Sequence, residues 1–157
     1  MFDVTCDLQV TTLPTMKKTP AEDATPLAEA LAAVGDRWTL MVVEALLEGP
    51  ARFNDLQEAI AGIAPNILTE RLRRLEREGL AVAQPYSERP PRYVYELTAA
   101  GAELAGALQL LAGWGARHGE AEPVRHEACG SPLEARWYCP TCDESVEDPA
   151  EAGVHFA

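Results

Sequence analysis

Apolar positions recur along the chain at helical intervals from Leu27 to Trp114, with one stretch where they alternate instead. Thr25-Pro26 offers a capping hydroxyl and a proline for a first helical position, and Leu27, Ala30, Leu31 and Val34 follow at helical spacing up to Gly35. That pattern predicts a first helix. Asp36 can cap a second, whose Trp38, Met41, Val42, Ala45 and Leu46 form an apolar stripe before Gly49-Pro50 breaks it. Phe53, Leu56 and Ile60 predict a short third helix closed by Ala61-Gly62. From Pro65 to Glu78, Leu68, Leu72 and Leu75 make one seam, while Asn66, Thr69, Glu70, Arg73 and Arg77 occupy the other side. After Gly79 the spacing changes to alternation, in Leu80–Ala83 and again in Arg92–Leu97, around Ser87-Glu88-Arg89-Pro90-Pro91. This predicts a hairpin with a charged tip. Thr98 can cap a last long helix carrying Leu104, Leu108, Leu111 and Trp114, a seam long enough to pack against a partner.

The fold class expected is therefore mainly α (α+β), a winged helix-turn-helix with flanking helices and a small C-terminal appendage. Residues 1–25 carry prolines and threonines with little apolar periodicity and read as a flexible arm; residues 26–118 form the main domain, and 119–157 an acidic extension. At 157 residues, 47% hydrophobic and 24% charged, the chain has room for one core with decorations. The apolar run at Leu40–Leu47 is interrupted by Glu44 and is far short of a bilayer span, and Met1–Pro20 has acids at Asp3 and Asp7 where a signal peptide would be basic. A cytoplasmic protein is expected.

The net charge of −12, taken as a sum, argues against nucleic acid, whose affinity comes largely from Lys and Arg on phosphates. The distribution changes that picture. From Arg52 to Thr98 seven arginines balance seven acids, whereas from Gly119 onward nine acids face only Arg125 and Arg136. The middle of the chain can present a local cationic face while the tail carries the acidity.

Two short helices about a tight glycine turn, followed by a hairpin, are the parts of a winged helix-turn-helix, whose second short helix enters the major groove of DNA. Such a helix must be buried on one side and offer directed donors on the other. Asn66, Thr69, Glu70 and Arg73 are the candidates for base contact, Arg73 suiting guanine and Asn66 adenine. Arg71, Arg74 and Arg77, nearer the flanks, would meet phosphates, as would Arg52. Arg89 and Arg92 in the wing could reach the adjacent backbone or minor groove. The plain alternative is a solvated helix face, with Glu70 pairing Arg74 and Arg74 pairing Glu78 four residues apart; the hairpin and its basic tip favour the DNA reading.

Gly35-Asp36-Arg37-Trp38-Thr39-Leu40, Leu47-Glu48-Gly49-Pro50 with Arg52-Phe53-Asn54-Asp55-Leu56, Leu68-Thr69-Glu70-Arg71-Leu72 through Leu75-Glu76-Arg77-Glu78-Gly79-Leu80, and Pro90-Pro91-Arg92-Tyr93-Val94-Tyr95-Glu96-Leu97-Thr98 occur in that order. Over about Pro26 to Trp114 the chain resembles the HxlR-type winged helix-turn-helix regulators. The resemblance implies a homodimer joined through the first and last helices, bound to a palindromic site near a promoter. Two positions depart from the pattern. Members often carry Cys-Pro, in some an oxidant sensor, where this chain has Thr25-Pro26, and many have serine where Ala64 stands. Cys6 lies far upstream in the arm and is no evident replacement.

Outside that resemblance, His126-x2-Cys129 is followed after nine residues by Cys139-Pro140-Thr141-Cys142. Two closely spaced pairs separated by a hairpin's length suit one tetrahedral zinc, each pair forming a knuckle, so the C-terminal appendage reads as a small zinc ribbon over residues 126–142. So small a segment has too little core to fold unaided, a usual reason for a structural metal. The expected ligands are His126, Cys129, Cys139 and Cys142, for one structural zinc per chain; His118 and His155 read as surface histidines. Free thiols, or a thioredoxin-like pair at Cys139 and Cys142, are the alternatives, the latter lacking its βαβ setting.

An enzyme is not expected. The chain has no glycine-rich phosphate loop and no serine elbow, and four closed zinc ligands leave no catalytic position. A thiol oxidoreductase and a winged helix that docks protein through the ribbon are the other function classes; the second would show no salt-sensitive DNA affinity.

Overall fold

The computed structural model describes residues 25–88, 91–134 and 136–146. The predicted arm up to residue 24, with Cys6, lies outside the described residues, as do Arg89 and His155. The elements run α1 (Pro26–Val34), α2 (Arg37–Leu47), β1 (Ala51–Arg52), α3 (Phe53–Ala59), α4 (Pro65–Arg77), β2 (Ala81–Glu88), β3 (Pro91–Leu97), α5 (Ala99–Ala102), α6 (Leu104–His118), β4 (Trp137–Cys139) and β5 (Glu144–Val146). The capping signals act as expected: the Thr25 hydroxyl accepts from the Ala28 amide at 3.2 Å, and the Asp36 carboxylate accepts from the Thr39 amide at 3.1 Å.

One core forms where three helices and the sheet meet. Val42, Val43 and Leu46 of α2, Leu56 of α3 and Leu68, Leu72 and Leu75 of α4 are sealed together with Ile60, Ile63 and Ala81. Tyr95 and Leu97 close it from the sheet, and Leu104 and Leu108 from α6. The apolar seams read from the spacing on α2, α3 and α4 are the faces that meet, because burial of their side chains is the main force holding short helices that would be marginal alone.

Three features differ from the expectation. The sheet has a third strand, since β1 pairs antiparallel with β3 (Ala51 opposite Tyr95, Arg52 opposite Val94), giving the order β1-β3-β2. Two residues are too few for alternation to reveal. The wing strands extend beyond Ala83 to Glu88 and back from Pro91, with a register shift between Pro85 and Ser87; a proline with no amide to donate is accommodated at such a bulge. The last helix is divided into α5 and α6 at Glu103, whose backbone stays helical (φ −60°, ψ −20°) with its amide still donating to the Ala99 carbonyl at 3.1 Å. Gly101 in α5 lies so close to the β2 entry that a Cβ there would stand 2.0 Å from the Leu80 carbonyl oxygen. The close approach is fastened by the Thr98 hydroxyl, which donates to the Gly79 carbonyl at 2.7 Å.

No residue of α6 is buried, and Leu111 and Trp114 are 55% and 58% exposed. On α1, Leu27 and Leu31 are likewise 66% and 54% exposed. The C-terminal segment lies alongside α6, with Leu133 and Trp137 facing Leu110 and Gly113 across a cleft of about 330 Å³. No described helix is long and apolar enough to cross a membrane.

Gly101→Ala should destabilise the protein by about 1–3 kcal/mol through overpacking against backbone that has no rotamer to move. Urea unfolding checks it: an unchanged midpoint would show that the α5–β2 junction yields freely.

Candidate nucleic-acid interface

α3 and α4 are joined by Ile60–Ala64, where Gly62 takes φ of +80°, a conformation costly for residues with a side chain. Ile60 and Ile63, on either side, are buried at 2% and 5% exposure and pin the turn to the core. Pro65 then starts α4 with no side-chain hydrogen bond at the Ala64 cap. With its leucines committed to the core, the helix has one orientation about its own axis. At about 100° per residue, Asn66, Thr69, Glu70, Arg73 and Arg77 fall within a sector of about 100° on the far side. Asn66, Glu70, Arg73 and Arg77 are exposed and Thr69 half-buried, its hydroxyl donating to the Pro65 carbonyl at 2.8 Å.

Arg71 and Arg74 sit differently. They occupy the flank between the exposed sector and the leucine seam, where α1 and α2 pass. Arg71 Nε donates to Asp36 Oδ1 at 2.8 Å and Arg74 Nη1 to Asp36 Oδ2 at 3.3 Å, while Arg74 Nη2 donates to the Ala32 carbonyl near the end of α1. Arg71 also pairs with Glu70 at 3.1 Å. The side chains are 18% and 25% exposed, so these guanidinium groups are held inward rather than projecting with Arg73. Neither Glu70 with Arg74 nor Arg74 with Glu78 is among the ion pairs of the described residues. Spacing along one helix ranks near neighbours; it cannot see a carboxylate thirty-odd residues away that the fold delivers to the same spot.

Asp36 gathers a third set of contacts. Besides capping α2 through the Thr39 amide, it accepts from the Thr39 hydroxyl, the one buried polar side chain among the described residues. Burial pushes the Asp36 carboxyl up, but hydrogen bonds from the Thr39 hydroxyl and amide and from Arg71, with that arginine's charge, outweigh it and hold the pKa below the usual value.

The wing stands beside this face. Arg92 is exposed on β3, and Arg52 is exposed on β1, its guanidinium 4.8 Å from the centre of the Tyr86 ring. Arg52, Asn54, Tyr86, Arg92 and Tyr93 line an open cleft of about 470 Å³ between the start of α3 and the wing. Asn54, Tyr86 and Tyr93 were not singled out by the sequence pattern, which marks Tyr93 as one of an alternating set and gives no sign of β1 carrying Arg52 across to Tyr86.

The C-terminal segment contains two small turns. Around the first, the His126 amide donates to the Ser131 carbonyl at 2.8 Å and the Gly130 amide to the His126 carbonyl at 2.7 Å, with Gly130 at φ +69°; His126 Nδ1 and Cys129 Sγ are 3.3 Å apart. The second is the β4–β5 hairpin, whose turn carries Cys139 and Cys142, with Asp143 at φ +57°; the backbone amides of Cys142 and Thr141 in that turn hold the Cys139 thiol below its ordinary pKa. The expected ligands thus come together as two pairs. Among the described residues no three His, Cys, Asp or Glu side chains converge closely enough to share one ion.

The model for the HxlR-like helix-turn-helix family matches residues 33–123, from the end of α1 through α6. The chain belongs to the HxlR-like helix-turn-helix family. This HxlR-like protein is 37% identical over 125 residues, 76% of the chain and 78% of the relative, to Rv3095 of Mycobacterium tuberculosis, an uncharacterized HTH-type transcriptional regulator. Among solved structures it is similar to PA1374 of Pseudomonas aeruginosa (33% identical, TM-score 0.62, covering 78% of this chain and 86% of that one). It is also similar to the reduced form of the transcriptional regulator YodB of Bacillus subtilis (32% identical, TM-score 0.51, covering 59% of this chain and 91% of that one). The family match bears out the winged helix-turn-helix; it stops before the cysteine pairs.

The depressed pKa of Asp36 sets a pH dependence. A lowered folded-state value contributes stability in full above the unfolded carboxylate value of about 4, and the contribution is lost as pH falls through the folded value. The stability difference between the wild type and Asp36→Asn should hold steady between about pH 7 and 5 and shrink below about pH 4. A difference already shrinking near neutrality in urea titrations would contradict the assignment.

Proposed function

We propose that this protein is a transcription regulator that binds duplex DNA, with α4 in the major groove and the wing against the adjacent backbone, and that it is not an enzyme. The observation that carries the reading is the division of α4: leucines wholly buried along one seam, and Asn66, Thr69, Glu70, Arg73 and Arg77 on the opposite side, beside a wing carrying Arg92. The relatives named as HTH-type regulators support it. Arg73 and Asn66 are assigned to base edges and Arg52, Arg77 and Arg92 to phosphates. Arg89, outside the described residues, is assigned with Arg92. Such a regulator works in the cytoplasm.

The same reading includes a homodimer on a palindromic site. Leu27 and Leu31 of α1 and Leu111 and Trp114 of α6 leave apolar surface uncovered on the single chain, and a second copy is the partner that would cover it. We infer also that the C-terminal segment holds one zinc ion per chain through His126, Cys129, Cys139 and Cys142. The donor set and the two tight turns support this; binding requires the two pairs to close on one another. A thiol-redox role is the second reading. YodB has been solved both reduced and diamide-treated, and Cys139 and Cys142 flank one tight turn here as free thiols.

Selection from random duplexes by the full-length protein should enrich an inverted repeat with half-sites about one helical turn apart. Arg73→Ala should then cost about 1–3 kcal/mol and relax preference at one base position, whereas Arg92→Ala should weaken all sequences alike and flatten the salt dependence. Equal losses on every sequence from both would end this division of roles, and no enrichment would turn the winged helix into a protein-docking module. Metal analysis should find one zinc per chain, lost in Cys139→Ser; metal-free protein with thiol-dependent turnover would favour the redox reading.

A further inference from the structure

Asp36 is a single carboxylate shared by three elements. It caps α2, it receives Arg71 and Arg74 from α4, and through Arg74 it is joined to the Ala32 carbonyl of α1. α1 is otherwise weakly held: only Val34 of its residues is buried, and its leucines face outward. The leucine seam seats α4 on α2, yet apolar contacts are non-directional and tolerate sliding and tilting. Hydrogen bonds from two arginines one turn apart to the two oxygens of one carboxylate are directional, and they bear on α4 from the side where α1 ends. A bidentate arrangement of this kind loses its contacts on a displacement of an ångström or so.

We propose that Asp36, Arg71 and Arg74 are positioning residues that lock the recognition helix α4 to the α1–α2 corner, so that the pose of α1 at the dimer contact sets the tilt and spacing of the two α4 helices on DNA. Arg71 and Arg74, in this reading, are withheld from phosphate by their shared carboxylate. The proposal rests on the DNA-binding, dimeric reading above and adds to it the joint through which α1 governs recognition.

Asp36→Asn tests it in the full-length protein, because asparagine keeps the α2 cap while removing the charge that holds both arginines. The probes are the duplex recovered by selection, versions of it with one base pair added or removed between half-sites, and a duplex of random sequence. Affinity for the selected duplex should fall about tenfold, within the usual range for coupled sites, and the difference among the three spacings should narrow. Affinity for the random duplex should hold or rise, since the released arginines can reach phosphate. Hydrogen exchange, which needs no DNA, should quicken together in α1 and α4. Equal losses on the selected and random duplexes would mark a merely structural role and overturn the proposal, as would an unchanged spacing preference or exchange confined to α1. Should Asp36→Asn fail to fold, Arg74→Gln decides the same question by the spacing preference and hydrogen exchange, with affinity for the random duplex expected to hold. Absence of any sequence selection by the unmutated protein would instead overturn the DNA reading itself, and is recognised by appearing without a substitution.

Discussion

Leu68, Leu72 and Leu75 of α4 lie against Val42, Val43 and Leu46 of α2, and everything else about the proposed DNA face follows from that contact. A helix with three wholly buried leucines on one seam has no freedom to rotate, because turning it would expose apolar surface costing about 25 cal/mol per Å². The polar residues opposite are therefore placed by the burial of residues they never touch. The turn at Gly62, the buried isoleucines beside it and the sheet edge carried by Ala81 hold the two ends of the arrangement.

Charge is layered on that frame in two ways. Arg73 and Arg77 are carried outward by the helical repeat, and Arg52 and Arg92 stand exposed on β1 and β3 beside one cleft, so a chain whose net charge is −12 still exposes cationic groups on α4 and the wing. Arg71 and Arg74, identical in chemistry, are turned inward to Asp36. Partly buried and shared between two guanidinium groups, that carboxylate is a directional joint rather than a surface ion pair of the kind that contributes little. An overall acidic protein can thus keep a basic face, since potentials over a few ångströms depend on local arrangement more than on the sum.

Outside the winged helix the chain is built from smaller pieces. The two turns holding His126 with Cys129 and Cys139 with Cys142 have their own backbone hydrogen bonds, yet no core of their own: Cys129 and Cys142 are exposed, and the segment lies beside α6 across an open cleft. A segment of this size gains little from burial, which is the physical reason a metal ion is the proposed means of joining the two halves.

Local signals alone carried much of the architecture. Thr25-Pro26 and Asp36 as caps, Gly62 as the turn, the leucine seam of α4 and the alternation of β3 were legible because each depends on neighbours within a few residues. The winged helix-turn-helix and the outward set from Asn66 to Arg77 follow from those periods. What only the tertiary structure decided depends on contacts between distant residues: the pairing of β1 with β3, the stacking of Arg52 on Tyr86 and the capture of Arg71 and Arg74 by Asp36. Helical spacing states which residues share a side of one helix; whether an arginine on its flank meets water, phosphate or a carboxylate is settled by which other element packs there.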